Sequence, residues 1–171
     1  GDTHSWAVAL KSVLREDPDV VLVGEMRDYE TIAAALTVAE TGHLVLATLH
    51  TNSAAQTIDR VVDVFPEHQQ AQIRVQLSNV LSAVLAQRLV PTIGGGRAAV
   101  MEILLGTTAV KTSIREGKSH MINNVIQTSG DLGMQSLEKD LARLINAGKI
   151  DVNVAKDYSL SPQELTRLVK K

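Results

Sequence analysis

The feature that most constrains this chain is an apolar run ending on an acid, Val20-Val21-Leu22-Val23-Gly24-Glu25. Three valines and a leucine in a row read as a short strand buried on both faces. Gly24 loosens the backbone, and Glu25 stands where the strand ends. In open α/β sheets, ligands bind beyond the carboxyl ends of the strands. A carboxylate there is a natural direct or water-bridged ligand for Mg²⁺, which takes hard oxygen ligands and keeps several waters. The same stretch also reads as a buried strand followed by a solvated acid at a turn, and the residues alone leave both readings open.

The surrounding pattern places this strand in a βαβ unit. Asp28 suits the N-cap of a helix over Tyr29–Glu40, whose Ala33, Ala34, Ala35 and Ala39 allow close packing on a sheet. Gly42 suits the residue just past its end, and residues 44–49 form a second apolar strand. Two strands joined by one helix should lie parallel and close together. Upstream, Trp6, Leu10, Val13 and Leu14 are spaced for a helix over residues 5–15, ended by Asp17-Pro18. Downstream, Ser53 and Gln56 make a capping box for a helix reaching Asp63, and Phe65-Pro66 breaks the chain. Residues 67–87 then read as one long amphipathic helix with Ile73, Leu77, Val80, Leu81, Val84 and Leu85 inward. Residues 88–93 and 97–104, around Gly94-Gly95-Gly96, read as an antiparallel hairpin. After Gly106 the pattern becomes helical, over residues 108–116, 119–127, 135–146 and 152–157, with a last helix opened by Ser161-Pro162-Gln163-Glu164. The expected organisation is an α/β part over residues 1–106 and an all-helical part over residues 107–171.

Composition narrows the function classes. With 171 residues and 44% apolar content, the chain can bury a real core. A formal net charge of −2 gives no electrostatic case for nucleic acid, and 2% aromatic residues leave no base-stacking platform. There is no cysteine, so neither a disulfide nor a thiolate zinc site can form within these residues. No apolar run approaches the roughly 18 residues that span a bilayer. The first residues are no signal peptide, so a soluble, intracellular protein is expected.

Two candidate groups meet at the strand ends: Glu25 with Arg27 after the first, and His50 with Thr48 and Thr51 at and after the second. Adjacent strands lie about 4.8 Å apart, so these groups can share a cleft. His43 precedes the second strand and should lie roughly 20 Å from His50 along it. On spacing alone it reads as a polar loop residue rather than half of a metal-binding pair. Arg27, Arg60, Arg88 and Arg97 could fork onto phosphate oxygens, and Arg27 and Arg60 are the two best placed. Two glycine stretches do not qualify as phosphate cradles. Gly117-Lys118-Ser119 has the end of a P-loop, but Thr112 occupies the place of its first glycine; Gly94-Gly95-Gly96-Arg97 lacks the lysine. Both read as turns.

Together the motifs resemble a known family. The segment from Thr3-His4-Ser5-Trp6 through Asp17-Pro18 into Gly24-Glu25-Met26-Arg27-Asp28 is similar to the secretion ATPases of type II and type IV pilus systems. In that family the Gly-Glu-hydrophobic-Arg-Asp segment is the Walker B motif. Residues 42–54, with His43 and His50, resemble its His box, and Thr57-Ile58-Asp59-Arg60 continues the likeness. Residues 93–102, 114–118 and 126–128 with 133–135 resemble the branch that retracts pili. Where that branch has Ala-Ile-Arg-Asn-Leu-Ile, this chain has Ala109-Val110-Lys111-Thr112-Ser113-Ile114, keeping only the first and last residues.

The resemblance implies the C-terminal part of a RecA-like ATPase domain, parallel strands plus an antiparallel hairpin, followed by a small helical subdomain. It implies a cytoplasmic, hexameric, ATP-hydrolysing motor that retracts pili, acting with a platform protein of the inner membrane. ATP and Mg²⁺ are the implied cofactors. Glu25 would hold the metal or its water, His50 and His43 would sense the γ-phosphate or a subunit contact, and Arg27, Thr48, Thr51 and Arg60 would bind nucleotide. The family's P-loop and acidic box lie before the equivalent of Gly1, so this polypeptide alone is expected to be inactive. An assembly or secretion ATPase of the same family, and a self-associating binding module, are the alternatives.

Overall fold

The computed structural model describes residues 9, 12–13 and 15–169. The expected helix over residues 5–15, with Thr3, His4, Trp6, Leu10 and Leu14, therefore lies mostly outside the described residues. The elements run β1 (Val20–Glu25), α1 (Tyr29–Glu40), β2 (Leu44–Thr48), α2 (Ala54–Asp63), α3 (Glu67–Val80), β3 (Ala83–Pro91) and β4 (Arg97–Leu105). Five helices follow: α4 (Thr108–Arg115), α5 (Ile122–Thr128), α6 (Leu137–Asn146), α7 (Val152–Tyr158) and α8 (Pro162–Leu168), with short 3₁₀ turns at Ser119–Met121 and Gly130–Leu132. The fold is α/β, with a parallel pair, an antiparallel hairpin and a helical C-terminal stretch.

Local chemistry explains most of these boundaries. Asp28 caps α1 by accepting the Thr31 N–H at 2.8 Å, and Gly42 leaves the helix at φ +98°. Ser53 caps α2 by accepting the Gln56 N–H at 3.2 Å, while the Gln56 side chain reaches back past the cap to the Asn52 N–H at 2.7 Å. β1 and β2 pair in parallel from Val20↔Leu44 to Val23↔Ala47, after which one extra residue shifts the register to Glu25↔Thr48.

Two expectations are corrected. The helix read over residues 67–87 ends at Val80, and β3 begins at Ala83. Val84 and Leu85 fit a helical spacing and a strand alternation equally well. Pairing of residues 83–91 with the whole of β4 selects the strand and leaves Leu85 exposed. The strand β1 is also not covered on both faces among the described residues: Val23 is buried, whereas Val20 and Leu22, and Leu44 and Leu46 of β2, are exposed.

The core consists of two apolar clusters, and each draws on residues before and after Gly106. One joins Ile32 and Leu36 of α1 and Ile58 and Val61 of α2 to Leu104, Val110, Ile114 and Ile126. The other joins Val90 and Val100 of the hairpin to Leu141, Ile150, Ala155 and Leu165. The chain leaves β4 at Gly106, whose amide donates to the Ser82 carbonyl at 2.8 Å. A Cβ there would lie 2.1 Å from the Leu81 carbonyl oxygen, so only glycine permits this approach. Gly106→Ala is expected to lower the unfolding free energy by about 2 kcal/mol in urea denaturation. Gly94→Ala, which meets no atom within 4 Å, should change it by less than about 0.5 kcal/mol.

Candidate active site at the ends of the parallel strands

The register shift at Gly24 builds the site. A bulge bends its strand and re-aims the side chains that follow. Here it sets Glu25 opposite Thr48, whose hydroxyl donates to the Gly24 carbonyl at 3.0 Å. The Met26 N–H donates to the Thr48 carbonyl at 2.9 Å, so the two strand ends stay tied beyond the ladder. His50 follows two residues later, and its Nε2 lies 3.0 Å from Glu25 Oε1. The second carboxylate oxygen takes the Arg27 guanidinium at 2.5 Å. Glu25, Arg27, Thr48 and His50 therefore form one cluster; the sequence offers these four, together with Thr51, as groups able to share a cleft.

The cluster is open to ligands. The Glu25 side chain is 26% exposed and that of His50 85% exposed. The Arg27 hydrogen bond holds the Glu25 carboxyl below the usual carboxylate range; partial burial opposes this, while the charges of Arg27 and His50 reinforce it. Glu25 is thus an ionised acceptor at neutral pH, the state in which a carboxylate binds a hard cation or a water.

The remaining expected residues are placed more loosely. The Thr51 hydroxyl bonds that of Thr57 at 2.7 Å, inside the turn that starts α2. Arg60 is exposed on α2, and its side chain has no hydrogen bond or ion pair among the described residues. His43 stands at the opposite end of β2, where its Nδ1 lies 3.0 Å from the Thr41 hydroxyl and 3.2 Å from the Val38 carbonyl. It makes no contact with His50 or Glu25, but His43 and His50 both line an open cavity of about 880 Å³ between β2 and β3. The two glycine stretches are turns, with Gly117 at φ +68° and Gly95 at φ +86°; Lys118 is paired to Glu116 at 2.8 Å.

Two further residues lie beside the site: Glu102, to which sequence reasoning assigns no role, and Arg88, which it offers only as a phosphate-contacting arginine less well placed than Arg27 and Arg60. Glu102 of β4 is buried and accepts the Ala54 N–H at 2.7 Å. Arg88 of β3 donates to the Asn52 carbonyl at 3.3 Å and to the Tyr158 carbonyl at 2.7 Å. The available signal was their position. Both fall where the hairpin's alternation calls for apolar residues, and two charges on a buried face need a reason.

Residues 3–95 match the family described as "Type II/IV secretion system protein". The chain belongs to that family. Among its members, the type IV pilus retractation ATPase PilT of Pseudomonas aeruginosa is 53% identical over 162 residues, covering 95% of this chain and 47% of that protein. A twitching motility protein of Neisseria gonorrhoeae is also 53% identical, over 96% of this chain and 44% of its own length. Among solved structures, the pilus retraction motor PilT with bound ADP superposes at a TM-score of 0.85 and 48% identity, covering 97% of this chain and 47% of that one. The chain spans about half the length of the relatives it matches. Among the described residues, no helix is long and apolar enough to cross a membrane.

The geometry makes a direct prediction about the acid. Titrated by carbon NMR, the Glu25 carboxyl should have its midpoint below that of an ordinary glutamate, and Arg27→Ala should raise it. Because the folded value is depressed, the stabilisation from this group is present above the unfolded value and fades as pH falls through the folded one.

Proposed function

We propose that this chain is part of an ATP-hydrolysing motor that retracts type IV pili, and that the Glu25–His50 cluster belongs to its hydrolytic site. The observation that carries the reading is the 3.0 Å contact between Glu25 and His50 across the ends of two parallel strands, in a chain 53% identical to a pilus retractation ATPase. The place of the cluster, beyond the carboxyl ends of a parallel pair, is where α/β sheets take their ligands.

ATP and Mg²⁺ supply the phosphoryl group and the cation that offsets its charge. The residues present suit such a ligand. Glu25 is ionised and partly open, and would hold the metal or one of its waters. His50, within reach of Glu25 and otherwise exposed, would report the state of the terminal phosphate. Arg27 would stabilise phosphate charge, and the hydroxyls of Thr48 and Thr51 would donate to phosphate oxygens. Arg60, exposed on α2 and with no side-chain partner among the described residues, suits a neighbouring subunit's phosphate or acid, whereas His43, tied to the end of α1, suits a subunit contact. Positioned charge of this kind is the usual means of phosphoryl transfer. A hexameric ring in the cytoplasm, working against a platform protein of the inner membrane, completes the proposal.

A second reading, a self-associating module, is favoured by the bare face of Val20, Leu22, Leu44 and Leu46. Light scattering on the eluted chain separates a monomer from an assembly.

Residues 1–171 alone should show no ATP turnover, because no phosphate cradle lies within them. A chimera in which this chain replaces the matching portion of the Pseudomonas aeruginosa protein should hydrolyse ATP. In that chimera Glu25→Gln should lower kcat by about a hundredfold or more. Steady turnover by residues 1–171, or a Glu25→Gln chimera with unchanged kcat, would overturn the reading.

A further inference from the structure

The hairpin's buried face carries two charges that packing does not ask for. On β4, Val100 belongs to one apolar cluster and Leu104 to the other, and Glu102 lies between them at 4% exposure. On β3, Arg88 faces Val100 and Ala86 faces Glu102, so the two charged residues are diagonal neighbours on one face. An apolar residue at either place would have joined the two clusters. Burying a charge is costly unless its partners are good. Burial pushes the Glu102 carboxyl up, with Glu138 and Glu164 adding to the rise and the Ala54 N–H and Arg88 opposing it. The Arg88 Nε is a buried nitrogen without a hydrogen bond among the described residues.

Their partners share a location. Glu102 Oε1 accepts the N–H of Ala54, the first residue of α2, where a negative charge also complements the helix dipole. Arg88 Nη2 donates to the carbonyl of Asn52. These two bonds grip the chain two and four residues after His50. The other arm of Arg88, on the Tyr158 carbonyl at the end of α7, fixes the guanidinium from the far side. Among the described residues the His50 side chain is held only by Glu25, and it stands in solvent, so its place depends on how residues 51–54 are anchored.

We propose that Glu102 and Arg88 are positioning residues for His50: by clamping Ala54 and Asn52 from the hairpin, they keep the imidazole within hydrogen-bond reach of Glu25. Their effect on turnover rests on the motor reading above; their effect on the His50–Glu25 contact does not.

The test is a titration cycle on the chain itself, followed by kinetics in the chimera. In the unsubstituted chain, His50→Ala should raise the midpoint of the Glu25 carboxyl, read by carbon NMR. In a Glu102→Ala or Arg88→Ala background the same substitution should have little or no effect, because the contact is already lost. Glu102→Gln keeps an oxygen for the Ala54 N–H and should restore the coupling, a rescue that general loosening of the core would not give. It also serves if the alanine variant does not fold. In the chimera, Glu102→Ala should lower kcat by about tenfold with KM little changed. Equal His50→Ala shifts in all backgrounds, a folded Glu102→Gln chain without coupling, or a Glu102→Ala chimera with unchanged kcat would each overturn the inference. A chimera that is inactive before any of these substitutions defeats the motor reading instead, and the titration cycle then decides this one.

Discussion

The site depends on one irregularity in the pairing of β1 with β2. The two strands run in register through Val23↔Ala47, and a single extra residue at Gly24 then brings Glu25 opposite Thr48. Register in a sheet is a matter of whole residues, and a slip of one changes which side chains share a face. Without that shift Gly24 would face Thr48 and Glu25 would face Leu49, which moves the carboxylate off the face that Thr48 presents. The Thr48 hydroxyl on the Gly24 carbonyl, and the Met26 N–H on the Thr48 carbonyl, secure the irregular turn.

The hairpin supplies the second constraint. Its inward face contributes Leu104 to the cluster around α1, α2, α4 and α5, and Val90 and Val100 to the cluster of the last three helices. The region after Gly106 is therefore packed against what precedes it through shared cores. Between those cores runs a polar seam, in which Arg88 and Glu102 reach the start of α2 on one side and the end of α7 on the other. Such a seam contributes little net stability, but it fixes the relative placement of the elements it bridges.

Much of this was legible in the chain of residues. Asp28, Gly42 and Ser53 act locally, through hydrogen bonds to amides within a few residues and through one positive φ, so their reading needed no tertiary knowledge. The helix–strand boundary after Val80 was not legible, because Val84 and Leu85 satisfy both periods and a distant strand decides between them. Coverage of β1 was misjudged for a related reason. A valine-rich run says that a strand is apolar, but not which of its faces another element meets.

For the candidate site the division is sharper. Residue order alone placed Glu25 at the end of one strand and His50 after the next, because a helical crossover between short strands leaves a right-handed parallel pair as the ordinary outcome. It also separated His43 from His50, since a strand of fixed rise lies between them. Only the folded structure could show that Gly24 is an inserted residue, that Arg27 turns back onto Glu25, and that Arg88 and Glu102 brace the turn behind His50. The first two are matters of local backbone and side-chain conformation that residue order does not fix, and the last depends on contacts between residues 48 and 36 places apart, about which periodicity carries no information.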